Sequence, residues 1–226
     1  MRIPDILALT FLACFSTTLP AQFIRAYGVE LKLNLATQLM TFPEIPDEGT
    51  FQANSIGTLG AGIFLESRQA GPFSGLIRLD YIRKGFKLPT QYGDIGTPIY
   101  FEFDQINTFD FIDADFLLKY TFSHPWIPHP YAGFRSGFLI ARKVGSDYYP
   151  FNASDYSKEM HDFEKFSLGW VGGIVMPVTK EFHLGLETNL EFVPTIRRAN
   201  FRSRNWVTSL NIGYNFSGRR GKKHGE

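Results

Sequence analysis

Residues 182–192 read F-H-L-G-L-E-T-N-L-E-F, and this stretch decides the fold. Phe182, Leu184, Leu186, Leu190 and Phe192 fall on one face of an extended chain; His183, Gly185, Glu187, Asn189 and Glu191 fall on the other. Alternation this strict over this length marks a β-strand with one apolar and one polar face. Residues 206–216 repeat the pattern, with Leu210, Ile212, Tyr214 and Phe216 set against Ser209, Asn211, Gly213 and Asn215. Toward the N-terminus the same period runs through residues 166–176, 131–143, 109–120, 77–81, 59–66 and 29–39. The reading is eight strands of roughly ten residues each, with no amphipathic helix of comparable strength.

The joins alternate in length. Residues 40–54, 86–107, 144–165 and 194–205 are long, whereas 67–73, 121–130 and 177–181 are short. An even number of such strands with alternating long and short joins predicts an all-β fold, an eight-stranded antiparallel up-and-down transmembrane β-barrel. An open sheet would leave two unpaired edges in lipid, so the spanning form must close. Alternation alone does not say which face is inside, because a soluble lipocalin-type barrel turns its apolar face inward. Two placements favour the membrane form. Large side chains collect toward strand ends (Tyr120, Phe182, Phe192, Trp206, Tyr214, Phe216), as interfacial girdles do. The polar face mixes glycine (Gly60, Gly62, Gly133, Gly137, Gly169, Gly173, Gly185, Gly213) with long charged residues. Small residues beside long ones suit a crowded lumen; a solvated exterior has no need of them.

Composition fits. The 226 residues carry 23 Lys+Arg against 22 Asp+Glu, a net charge of +1 and one cysteine, which argues against a nucleic-acid binder and against a disulfide-stapled scaffold. Arg2, the apolar run 6–15 and small Ala21 predict a signal peptide over residues 1–21, cleaved near Ala21. Ten apolar residues span about 15 Å as helix, half of the roughly 30 Å hydrocarbon core, too little for an anchor. Leu12-Ala13-Cys14 resembles part of a lipobox, but Phe11 fits poorly and cleavage there would leave a very short signal. Residues 22–216 are the expected outer-membrane barrel, and residues 217–226, with Arg219, Arg220, Lys222, Lys223 and His224, a basic periplasmic tail.

Four stretches carry a family likeness. Residues 79–87 (LDYIRKGFK), 111–120 (FIDADFLLKY), the run Pro130-Tyr131-Ala132-Gly133 and residues 210–216 (LNIGYNF) resemble the PorT-like outer-membrane β-barrel domain proteins of Bacteroidetes-type bacteria. The likeness covers nearly the whole mature chain. It implies a barrel in the outer membrane and, from the founding members, an accessory role in protein secretion and gliding. Asp115 departs from the pattern, since such proteins commonly carry proline there.

On the polar face, Glu30, Lys32, Glu66, Arg78, Asp80, Asp113, Asp115, Lys119, Arg135, His183, Glu187 and Glu191 are expected to form a lumen polar network, because a narrow low-dielectric interior disfavours unpaired charge. Asp113 and Asp115 are expected to meet Lys119, Arg135 and Arg78. His183 with Glu187 and Glu191 on its face could be read as a hydrolase site, with Ser209 or Asn211 supplied by a neighbouring strand, but no nucleophile motif accompanies it. The five histidines show no metal-ligand spacing, so neither a metal nor another cofactor is expected. The external loops supply binding candidates: Tyr148, Tyr149 and Tyr156 in an acidic aromatic loop, and Arg197, Arg198, Arg202 and Arg204 at the rim, where guanidinium groups suit the phosphates of lipopolysaccharide. The functional expectation is a non-enzymatic outer-membrane barrel with a plugged lumen, structural, binding or secretion-accessory. Its partners would be outer-membrane lipids, lipopolysaccharide and a secretion-system or cell-surface protein, without nucleic acid. The alternatives are a lipid-modifying enzyme using His183 and a small-solute transport barrel.

Overall fold

A computed structural model describes residues 23–41, 51–93, 100–124, 126–146, 164–198 and 201–217. The expected signal peptide, the sticky loop with Tyr148, Tyr149 and Tyr156, and the tail from residue 218 lie outside the described residues. Ten strands form one antiparallel sheet: β1 (Ile24–Thr41), β2 (Phe51–Gln52), β3 (Ile56–Ser67), β4 (Phe73–Gly93), β5 (Tyr100–Tyr120), β6 (His129–Ser146), β7 (Phe166–Pro177), β8 (Phe182–Glu191), β9 (Ile196–Arg198) and β10 (Phe201–Asn215). The long strands pair in chain order, and β1 also pairs with β10 from Gly28↔Asn215 to Thr41↔Arg202, so the sheet closes on itself. The two short strands extend columns already present. Along β1, Ala36↔Ile56 of β3 gives way to Leu39↔Gln52 of β2. Along β10, Trp206↔Leu190 of β8 gives way to Ser203↔Ile196 of β9. The ten strands thus make eight columns, and the chain is an eight-column up-and-down barrel.

Both ends of the described chain and the connections 68–72, 121–128 and 178–181 gather at one mouth, the turn end. In the first of these turns Gly71 has φ 63°, the left-handed region that a glycine enters without a Cβ clash. The opposite mouth, the loop end, differs from the sequence reading. There β4 and β5 run for 21 residues each, so the expected long join 86–107 is mostly a paired hairpin around residues 94–99. Likewise the expected loop 194–205 contains β9 and the start of β10, which puts Arg197, Arg198, Arg202 and Arg204 on strands. The cause is physical: above the lipid both faces of a strand meet water or loops, so pairing continues after alternation stops.

Burial is inverted relative to a soluble protein. The outward rows are apolar on all eight columns and open to the surroundings: Leu31 on β1 is 65% exposed, Leu59 on β3 66%, Trp170 on β7 58% and Leu210 on β10 45%. Inside, buried polar and charged side chains outnumber apolar ones, and Arg78, Arg135, Lys32 and Lys84 are among the largest fully buried groups. A continuous apolar girdle of this kind far exceeds the few hundred Å² that a soluble surface tolerates, and lipid is the medium that matches it. Aromatic rings border it at the turn end, where Phe182, Tyr214, Phe216 and Tyr27 touch in sequence and Phe73, Tyr120 and Phe122 do the same. Leu210 lies midway between Tyr214 and Trp206 on the outward row of β10. Leu210→Arg is expected to cost about 2–4 kcal/mol of barrel stability in liposomes by urea titration, the price at the bilayer midplane; an unchanged midpoint would mean that this row faces water.

Candidate functional site

The lumen is filled in layers. Nearest the turn end, Ala26, Phe64, Leu76, Leu117, Tyr131 and Val171 form a buried apolar cluster. Toward the loop end, Met40, Ala53, Phe86, Phe109 and Phe111 form another, with Phe86 stacked on Phe109 at 6.1 Å between centroids. Between them lies a charged layer. Its centre is Asp115, clasped by two arginines: Arg135 donates from Nε at 2.6 Å and from Nη2 at 2.7 Å, and Arg78 from Nε at 2.9 Å. Both arginines also reach Glu187, Arg78 Nη2 at 2.5 Å and Arg135 Nη2 at 2.6 Å, and the Tyr131 hydroxyl donates to the same carboxylate at 2.8 Å.

Register explains why these groups meet. Arg78 of β4 stands directly opposite Asp115 of β5, which stands opposite Arg135 of β6. Glu187 on β8 reaches across the lumen from the other side. Two lysines complete the layer: Lys32 on β1 pairs with Asp80 at 2.5 Å, and Lys84 on β4 pairs with Asp113 at 2.9 Å and Glu191 at 2.8 Å while its ammonium sits 4.1 Å from the Phe111 ring centroid. Around Lys32, Arg78, Lys84 and Arg135 stand six carboxylates, Glu30, Asp80, Asp113, Asp115, Glu187 and Glu191. All four cations are at most 2% exposed. Glycines make the room. A Cβ on Gly62 would lie 1.8 Å from Asp80 Oδ1, one on Gly137 2.2 Å from Asp113 Oδ1, and one on Gly213 2.0 Å from His183 Nε2.

The twelve lumen residues named from sequence all point inward, with one change of partner and one omission. Lys119 does not meet the aspartates; it lies near the turn end and pairs with Glu66 at 2.5 Å, where Arg25 also approaches at 3.9 Å. Lys84 was outside the expected strand. It lies on the parity of Arg78 and Asp80, so extending the alternation by two steps would have found it. Loopward of Glu191, Asn205 and Thr195 each donate to its carboxylate, at 2.8 and 2.9 Å, and Gln38 joins Asn205 at 2.9 Å and accepts from Ser203.

His183 faces the turn-end mouth. Its Nε2 lies 3.0 Å from Glu30 Oε1, and it borders a cavity of about 470 Å³ that opens at this end and is walled by Phe64, Leu76, Val175 and Trp126. Ser209, the nucleophile one could pair with it, donates instead to Asn34 Oδ1 at 2.7 Å. Among the described residues no group of histidine, cysteine and carboxylate side chains is arranged to hold a metal.

A closed, inside-out sheet around a charge-filled lumen defines a small membrane β-barrel. No family model matches the chain, and no curated protein matches it. Solved structures do. The chain is similar to Neisserial surface protein A (15% identity, 81% of this chain and 96% of that one, TM-score 0.42), to the outer membrane protein OprG of Pseudomonas aeruginosa (9%, 86% and 97%, 0.41) and to the outer membrane protein AlkL in lipid bilayers (12%, 89% and 96%, 0.44). The fold assignment itself rests on the closure and burial described above.

Removing one member of a buried, mutually paired ion cluster leaves its partners uncompensated, at about 3–5 kcal/mol. Arg135→Met and Asp115→Asn are each expected to lose stability of that order in urea titrations of liposome-inserted protein, whereas exposed Lys143→Gln changes it by less than about 0.5 kcal/mol. Equal effects for all three would show that the layer carries no special weight.

Proposed function

We propose that this chain is a non-enzymatic barrel of the bacterial outer membrane, which acts as a structural and binding component through its two ends and does not act as a conduit. The observation that carries the reading is the charged layer: Arg78, Arg135, Lys32 and Lys84, each fully buried and paired, stand across an eight-column lumen that side chains already fill. Residues 1–21 supply the export signal this location requires, and the turns at one mouth would face the periplasm.

Binding then falls to the mouths. At the loop end the candidates are the aromatic loop with Tyr148, Tyr149 and Tyr156 and the arginines of β9 and β10, with lipopolysaccharide and a cell-surface protein as partners. At the turn end the basic tail of residues 219–223 would meet a periplasmic partner, which is where the secretion-accessory role implied by the PorT-like resemblance would operate. The non-enzymatic reading is supported by the engagement of His183 with Glu30 and of Ser209 with Asn34, which leaves neither aligned on the other.

Two measurements test this. After fractionation, the mature protein should sediment with outer membranes and resist carbonate extraction; recovery in the soluble periplasm would overturn the reading. In planar bilayers the wild-type protein should pass no steady ion current. Widening the constriction with Arg78→Ala and Arg135→Ala together removes two of four cations and leaves six carboxylates, so any current gained should select cations. Steady conductance by the wild type would make the transport alternative the better one.

A further inference from the structure

The outward row of β10 rises from the turn end as Tyr214, Ile212, Leu210, Thr208 and Trp206, then changes chemistry to Arg204 and Arg202. Tyr214 to Trp206 is eight residues, about 27 Å along the strand and about 21 Å along the membrane normal at a tilt of about 40°. The Trp206 indole N–H donates to Thr188 Oγ1 at 2.9 Å, the wet handle of an interfacial tryptophan. Arg204 and Arg202 then stand about 5 and 10 Å above it, the depth of the headgroup layer outside the hydrocarbon core.

Their cross-strand neighbours give them no counter-charge. Arg204 stands opposite Leu39 and Arg202 opposite Thr41 on β1, while on the other side the backbone partner of Arg202 is Arg197 of β9. Among the described residues neither Arg202 nor Arg204 makes an ion pair. The outward arginine that follows the apolar row on β4 behaves differently: Arg83, two residues beyond Tyr81, is held by Asp110 at 2.7 Å. The unpaired guanidiniums of Arg202 and Arg204 thus stand on the β10–β1 side, directly above the apolar surface of Leu210, Ile212, Leu33 and Leu31.

We propose that this face binds the phosphorylated headgroup of an outer-leaflet lipid, with the Arg202 and Arg204 guanidiniums on its phosphate oxygens and the acyl chains lying down β10 and β1. The geometry suits a planar fork meeting tetrahedral phosphate, a pairing that is both directional and charge-assisted. The lipid source follows from the continuity of the arginines with the apolar belt, since a soluble phosphate has no use for the wall beneath. The inference rests on the outer-membrane reading and names one lipid contact of that barrel.

The test is lipid retention by the refolded full-length protein in detergent, read by native mass spectrometry with diphosphoryl lipid A, with fully dephosphorylated lipid A and with inorganic phosphate as competitor. Wild type should retain the diphosphoryl lipid, and R202Q/R204Q should lose about tenfold in apparent affinity. R202K/R204K, which keeps the charge and removes the fork, should fall between them, and Lys143→Gln should match wild type. The dephosphorylated lipid should not be retained, and equimolar phosphate should not displace the lipid. Equal retention by R202Q/R204Q and wild type, or displacement by free phosphate at the lipid's own concentration, overturns the site. Membrane insertion is scored separately: if the outer-membrane reading itself is wrong, wild type and variants alike fail to insert, whereas a wrong site leaves insertion intact and retention unchanged by the substitutions.

Discussion

Asp115 sits between two arginines, and most of the interior can be understood from the need to keep that arrangement satisfied. A carboxylate in a narrow lumen with lipid outside the wall has almost no solvation of its own, so its partners must come from adjacent columns at matching height. Arg78 and Arg135 do so because the β4–β5 and β5–β6 registers place both opposite it. Once there, the arginines have donors left over, and Glu187, itself held by the Tyr131 hydroxyl, accepts from both. A register slip of one residue on either side of β5 would turn an arginine toward lipid and strand the aspartate, so the polar interior enforces the pairing as firmly as the apolar exterior does.

The packing outside the charged layer follows a size rule. Polar side chains lean over the adjacent strand where it carries glycine directly opposite: Asp80 over Gly62, Asp113 over Gly137, His183 over Gly213. The mixture of glycine and charge on one face of each strand is therefore a single feature. Gly62, Gly137 and Gly213 mark where a neighbour's side chain passes.

Period-two alternation made the eight columns and their inward faces legible, because lipid on one side and a polar lumen on the other impose opposite chemistry at every step. It failed wherever that contrast ends. Residues 82–93 and 100–108 pair as parts of β4 and β5 yet lie beyond the stretches read as strand (77–81 and 109–120), because Lys84, Phe86 and Leu88 face inward while the outer row turns charged at Arg83. Lys84 was lost with them. The partner of Lys119 was not legible either: alternation gives the face but not the height, and height sends Lys119 to Glu66 and leaves the aspartates to Arg78, Arg135 and Lys84. The arginines of β10 were placed at the correct mouth but in a loop, since the β9–β10 hairpin is too short to show a period.

The pairing of β1 with β10 has a kinetic side. It joins residues nearly the whole described chain apart, Gly28 to Asn215, and holding such distant segments together costs on the order of 5 kcal/mol in loop entropy before any of the fourteen pairs forms. Until the last strand arrives, every earlier one belongs to a sheet with two raw edges, and Arg78 and Arg135 lack the Glu187 that reaches them from the far side. Closure is therefore a late, all-or-none event. The last strand to be made is the one without which neither the wall nor its contents can be completed.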